Sequence, residues 1–152
     1  MFLSVVASVA ALAAAPAAIP STPVHSAGIS HGAQAYTTRY HAQPSISVRQ
    51  VESRFANRHA VPVCRWQADV TVNRAVEAQG RPVVALSKSV HRFAPLSGSH
   101  AGGCEAARSQ IEAEVARYAQ AKVADAQAVA VRDSAALPAE LDSLRELNVQ
   151  GG

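Results

Sequence analysis

The sequence predicts an α+β protein: a small antiparallel β-hairpin sheet packed on a long amphipathic helix, stapled by a disulfide and followed by a short C-terminal helix. Three observations predict it. Residues 64–73 alternate apolar and polar, residues 104–131 carry an apolar stripe at helical spacing, and the two cysteines, Cys64 and Cys104, fall one in each segment. A chain of 152 residues is expected to form one domain. Its hydrophobic content is 49%, but 33 residues are alanine and only 5% are aromatic, so the core is made mostly of methyl groups and buries little area per residue.

The first 38 residues contain no Asp, Glu, Lys or Arg. Residues 2–15 are an apolar run followed by Pro16, Ala17 and Ala18, the form of a secretory h-region with a small-residue cleavage site. Residues 1–17 are therefore expected to be a signal peptide, removed on export to the periplasm or the medium, with no stable membrane span left behind. The rival reading is an uncleaved anchor, because about 18 apolar residues nearly cross a bilayer. Against it stand the alanine content and Pro16; a basic n-region is missing, since only the terminal amine precedes Phe2, which points to a start codon upstream or to inefficient export.

Residues 18–45 are rich in Ser, Thr, Pro and Gly, lack hydrophobic periodicity and read as a flexible leader. His25, His31 and His41 lie in it, and a polar linker holding scattered histidines binds metal weakly because ordering it costs entropy. The folded domain is expected over residues 46–148, with 149–152 as a tail. Ser47 and Gln50 have capping-box spacing with Ile46 and Val51 as a hydrophobic staple, which predicts a short helix over residues 48–58; the alternative is a strand through Ile46 and Val48.

Cys64, Trp66, Ala68, Val70 and Val72 alternate with Arg65, Gln67, Asp69, Thr71 and Asn73, so a half-buried antiparallel strand is expected. Residues 82–93 are β-rich and follow a turn at Gln79-Gly80, which predicts a hairpin with a loop longer than two residues, its second strand at an edge with Lys88 turned to solvent. Residues 97–103 read as a flexible loop. The helix then follows, with Cys104, Ala107, Ile111, Val115 and Tyr118 on one face. Leu137, Leu141, Leu144 and Leu147 mark a second helix with Pro138 in its first turn.

An exported chain with an even cysteine count points to a Cys64–Cys104 disulfide. Closing its loop of roughly 40 residues stabilises the fold by about 4 kcal/mol in the chain-entropy model. The competing assignment, a metal site of Cys104, His100 and His91, has neither CxxC nor HxxxH spacing and supplies too few ligands for zinc.

Charge is uneven. Between Arg39 and His100 nine Lys/Arg face three acids, and from Ala101 onward five face eight. A basic surface for an anionic envelope partner is one reading; the other sets the basic hairpin beside the acidic helices so that each neutralises its neighbour. Nucleic acid is not expected as a partner, because stacking aromatics are too few. Residues 98–103 before a helix resemble an anion cradle physically, but match neither GxxxxGK[ST] nor GxGxxG, so no cofactor is expected. Ser99, His91 or His100, and Asp69 supply the residue types of a hydrolase without a GxSxG elbow or an HExxH helix. The expectation is a non-enzymatic binding or accessory protein of the envelope, acting on an envelope protein or as a homodimer. The alternative is a small-ligand or metal binder using His91, Ser99, His100 and the 98–103 loop, and the third class is a small hydrolase or an inhibitor of one.

Overall fold

A computed structural model describes residues 19–52 and 61–150, and the side chains of 19–52 and 61–146. Among these, six strands form one antiparallel sheet and two helices follow. Strand β1 is Thr22–His31, β2 Gln34–Val51, β3 Val63–Ala78, β4 Arg81–Pro82, β5 Lys88–Arg92 and β6 Leu96–Ala101; helix α1 is Cys104–Ala121 and α2 Val123–Gln150. The order is β1-β2-β3, and the far edge of β3 is shared end to end by β4, β5 and β6. This is an α+β fold, and Cys64 is disulfide-bonded to Cys104, with Cα atoms 4.8 Å apart.

The predicted leader is a correction. Residues 22–45 are not a linker but β1 and most of β2, joined through the two-residue loop Gly32-Ala33 between paired His31 and Gln34. Gly32 has φ +61°, the positive value that such a loop reserves for glycine at its first position. The strands were concealed because the buried face of β2 uses Thr38, Tyr40, Ala42 and Pro44 instead of branched aliphatics. Thr38 is tolerated inside because its hydroxyl donates to the Ala27 carbonyl at 3.0 Å.

The predicted 48–58 helix is likewise overturned as far as it is described. Ile46, Ser47 and Val48 continue β2 in register with Ala68, Gln67 and Trp66, so pairing along a long strand outweighs a local capping signal. Positions 53–58 of that prediction lie outside the described residues. The alternating strand is β3, and its buried parity runs past the predicted end at Asn73, to Arg74 and then Val76. The turn at Gln79-Gly80 has a two-residue loop, not a longer one, with φ +52° and +75° between paired Ala78 and Arg81. A 3-10 turn at Val84–Leu86 then carries the chain to β5. Lys88 is half exposed, yet its ammonium is held by Glu140 rather than by water alone.

The predicted 97–103 loop is mostly β6, paired with β3 from Val63↔Ala101 to Ala68↔Leu96. Two of its glycines have structural reasons. A Cβ on Gly98 would stand 2.7 Å from the Trp66 ring, and Gly102 turns the chain into α1 at φ +103° while its N–H donates to the Pro62 carbonyl. The single helix expected over 104–131 is divided at Lys122, and the short C-terminal helix is instead the second half of a 28-residue α2. Pro138 therefore sits inside α2 and not in its first turn, which leaves one carbonyl of the preceding turn without its helical donor.

Both helices lie on one face of the sheet. Under α1, Ala107, Ile111 and Val115 pack on Cys64, Trp66 and Ala68. In the middle, Ala126 and Ala130 of α2 meet Tyr40, Ala42, Val70 and Val72; farther along, Leu137 and Leu141 meet Val76 and Leu86. No described helix is long and apolar enough to cross a membrane.

Candidate functional site

The β1–β2 ladder ends at Thr22↔Ala42, but β2 continues to Val51 paired only with β3. Among the described residues nothing pairs with 43–51 on the side where β1 stops, which leaves an open backbone edge there. Helix α1 passes over this half of the sheet because the disulfide pins its first residue above Cys64. Between the open edge and the helix lies a cavity of about 370 Å³. Ile46, Val48, Cys104 and Ile111 give it apolar walls, Ile19 closes one side, and Glu105, Arg108 and Glu112 line its helical side. Glu105 and Arg108 are exposed and hydrogen-bonded to each other, which holds the Glu105 carboxyl below its ordinary range and raises the guanidinium. Val48 is 52% exposed although its parity places it on the sheet face that carries the core. An apolar hollow beside unpaired strand edge can hold the side chain of an extended polypeptide whose backbone joins the sheet.

The residues singled out in the sequence do not converge. His91 is opposite Val72 and His100 opposite Cys64 on the same side of β3. Eight residues of strand separate those partners, about 27 Å. His91 is exposed and stands edge-on to Phe93. His100 stacks on Trp66 with ring planes 14° apart, and its Nε2 lies 3.4 Å from Glu114 Oε1. Ser99 projects to the opposite face, beside Arg65. The 98–103 segment forms no cradle, since it is strand up to Ala101 and the Gly102 N–H is already bonded. Cys104 is committed to sulfur rather than metal, and among the described residues no group of three or more His, Cys, Asp or Glu gathers in metal-binding geometry. The leader histidines are dispersed: His25 rests against Tyr40 and His31 bonds Asp142.

A charged cluster went unread in the sequence. Arg74, with a side chain 0% exposed, donates from Nε to the Leu86 carbonyl and from its two terminal nitrogens to Asp133 and Glu140, all at 2.8–2.9 Å. Asp133 also accepts from the Tyr40 hydroxyl, and Glu140 from Lys88. Burial first, then the Asp133 carboxylate, pushes the Tyr40 hydroxyl far above its ordinary value. Burial works against the Arg74 charge, but the two carboxylates outweigh it and raise its pKa. Its donors are taken up by α2 and by the 3-10 turn, so the cluster fastens α2 to the sheet. The signal was present: Arg74 continues the buried parity of β3, and Asp133 and Glu140 are spaced by two helical turns on one face of α2.

The fold and site together define a small disulfide-linked α+β protein with both helices on one sheet face and a lateral apolar hollow. No protein-family model matches the chain, and neither a curated protein nor a solved structure shows similarity to it.

Proposed function

We propose that the protein is an exported, non-enzymatic binding protein of the cell envelope, whose partner contributes an extended segment to the open edge of β2. The observation that carries this reading is the 370 Å³ apolar cavity lying directly beside that edge. Main-chain groups of residues 43–51 provide the affinity of an added strand, and the hollow beneath α1 selects an apolar side chain. Export to the periplasm or the medium is supported by the disulfide, which persists in an oxidising compartment, and by the form of residues 1–17. The same edge on a second copy of the chain would give a homodimer, and the test separates the two.

Displayed octapeptides of alternating apolar and polar residues are selected against the protein, and the enriched peptides are titrated while backbone amide resonances are followed. Shifts confined to residues 43–51 and the first half of α1, abolished in Val48→Arg, are the expected result. Enrichment that is equal on Val48→Arg, or shifts elsewhere, would overturn the site. Concentration-dependent shifts at the same amides without peptide would assign the edge to a homodimer. Intact mass from a periplasmic extract is expected to lack the first 17 residues, with no thiol alkylated before reduction.

A further inference from the structure

Among the described residues nothing covers the face of the sheet turned away from the helices, and the unpaired charge of that face is concentrated at one place. Arg49 and Arg65 are directly opposite each other across β2 and β3, both exposed and both on that outer face. Like charges in opposed positions destabilise a strand pair, so their pairing calls for a compensating anion. The acids of the helices lie on the other side of the sheet, where Asp133, Glu140, Asp142 and Glu114 engage Arg74, Lys88, His31 and His100. On the outer face itself, Asp69 is taken by Arg92 and Glu77 by Arg39. Among the described residues, which include every acid of the chain, Arg49 and Arg65 have no ion pair.

The surroundings suit an oxyanion. Ser99 adjoins Arg65 in the same row, and Ser47, Gln67 and Ser97 form the next row of that face, all exposed. Tyr36, Tyr40, Trp66 and Phe93 pack on the helix side, so no described aromatic side chain is available on this face to stack a base. Among the described residues of this face there is one uncompensated cationic spot rather than a track, which fits a single phosphate better than a linear polyanion. Opposed Cα atoms are about 5 Å apart, so two guanidinium groups can flank one phosphate. We infer that Arg49, Arg65 and Ser99 form a phosphate-recognition site that docks the outer sheet face on the headgroups of an anionic lipid surface. This site lies on the opposite face from the hollow under α1 and is independent of it.

The test compares partition of the full chain onto phosphatidylglycerol/phosphatidylcholine vesicles and onto phosphatidylcholine vesicles. The α-amine, residues 1–18 and the other cations are common to the wild type and its variants, so the change of this ratio between them reads the arginine contact. A preference for anionic vesicles at about 20 mM salt that disappears at about 0.5 M is expected. Arg49→Gln/Arg65→Gln should lower that preference by about tenfold or more, while Arg81→Gln, at the far end of β3, leaves it unchanged. The double variant should melt no lower than the wild type, because it relieves the like-charge pair. No preference in the wild type, or an equal preference in the double variant, would overturn the site. Arginine-dependent retention on heparin without vesicle preference, or a melting temperature raised by inorganic phosphate alone, would overturn the lipid surface as its source.

Discussion

The two ends of the sheet are fastened to their helices by opposite chemistry. Under α1 the contact is covalent and apolar: the Cys64–Cys104 bond, Trp66, and the buried Ala107, Ile111 and Val115. Under the later part of α2 it is ionic, with a fully buried guanidinium between two carboxylates. Between them the core consists of Ala42, Val70, Val72, Ala126 and Ala130 around the fully buried ring of Tyr40, with Phe93 and Tyr118 packed at its margin. Alanine contacts bury little area, so each helix of this chain has a fastener stronger than methyl packing. The disulfide acts chiefly on the unfolded chain and responds to reductant, whereas the ion cluster acts in the folded state and responds to charge.

The largest expected effect comes from breaking the ionic end. Arg74→Met leaves Asp133 and Glu140 without their buried partner and should cost about 3–5 kcal/mol. For a chain of this size that is a fall in Tm of roughly 10–15 °C. Replacing all three, as Arg74→Met/Asp133→Leu/Glu140→Leu, should recover most of the loss, since a packed apolar trio carries no desolvation penalty. A single variant that melts with the wild type would show that α2 is held by its leucines alone. Next in size is the covalent end. Cys64→Ala/Cys104→Ala should cost about 4 kcal/mol at most, the chain-entropy figure for a loop closed across 40 positions. Amide exchange should rise in α1 more than in α2, and equal loss along both helices would mean that the two ends are not separate fasteners.

The covalent end was the legible one. Strict alternation from Cys64 to Val72 and the helical stripe from Cys104 to Val115 involve residues whose type declares their side, and one cysteine in each implied the bond. The ionic end was hidden because its inward residues are polar: parity sets Arg74 on the buried face, but its residue type contradicts that position until Asp133 and Glu140 arrive from 59 and 66 positions away. The same blindness turned β1 and β2 into a leader, since Thr38 and Pro44 carry no apolar signal and Ser47 with Gln50 imitates a helix cap. The cavity under α1 could not be read at all. It depends on where β1 stops pairing, a tertiary event that leaves no mark in local sequence. His91, Ser99 and His100 were chosen for their chemistry, and strand register set them apart.

A smaller perturbation tests how closely the covalent end is packed around Trp66. Gly98 pairs with Trp66, and a methyl group on it would approach the indole ring to 2.7–2.8 Å. Gly98→Ala should cost about 1–3 kcal/mol as the ring is displaced, with a change in near-UV dichroism and tryptophan emission. Unchanged spectra would mean that Trp66 has room to move and that the disulfide alone holds this end.

The smallest effect separates the two ends by pH. Burial works to raise the Glu140 carboxyl, but hydrogen bonds from Lys88 and Arg74 outweigh it and hold the group below its ordinary value of 4.5. A carboxyl depressed in the folded state contributes stability above its unfolded value and loses it as pH falls through the lower folded value. Wild type should therefore exceed Glu140→Gln in Tm at pH 7, and the two curves should converge below about pH 4 as the wild-type carboxyl takes up a proton. The disulfide carries no proton in this range, so Cys64→Ala/Cys104→Ala should stay below the wild type by a nearly constant interval. A constant gap for Glu140→Gln as well would show that the glutamate acts through its packing and not its charge, and the contrast between an ionic and a covalent end would then rest on Asp133 alone.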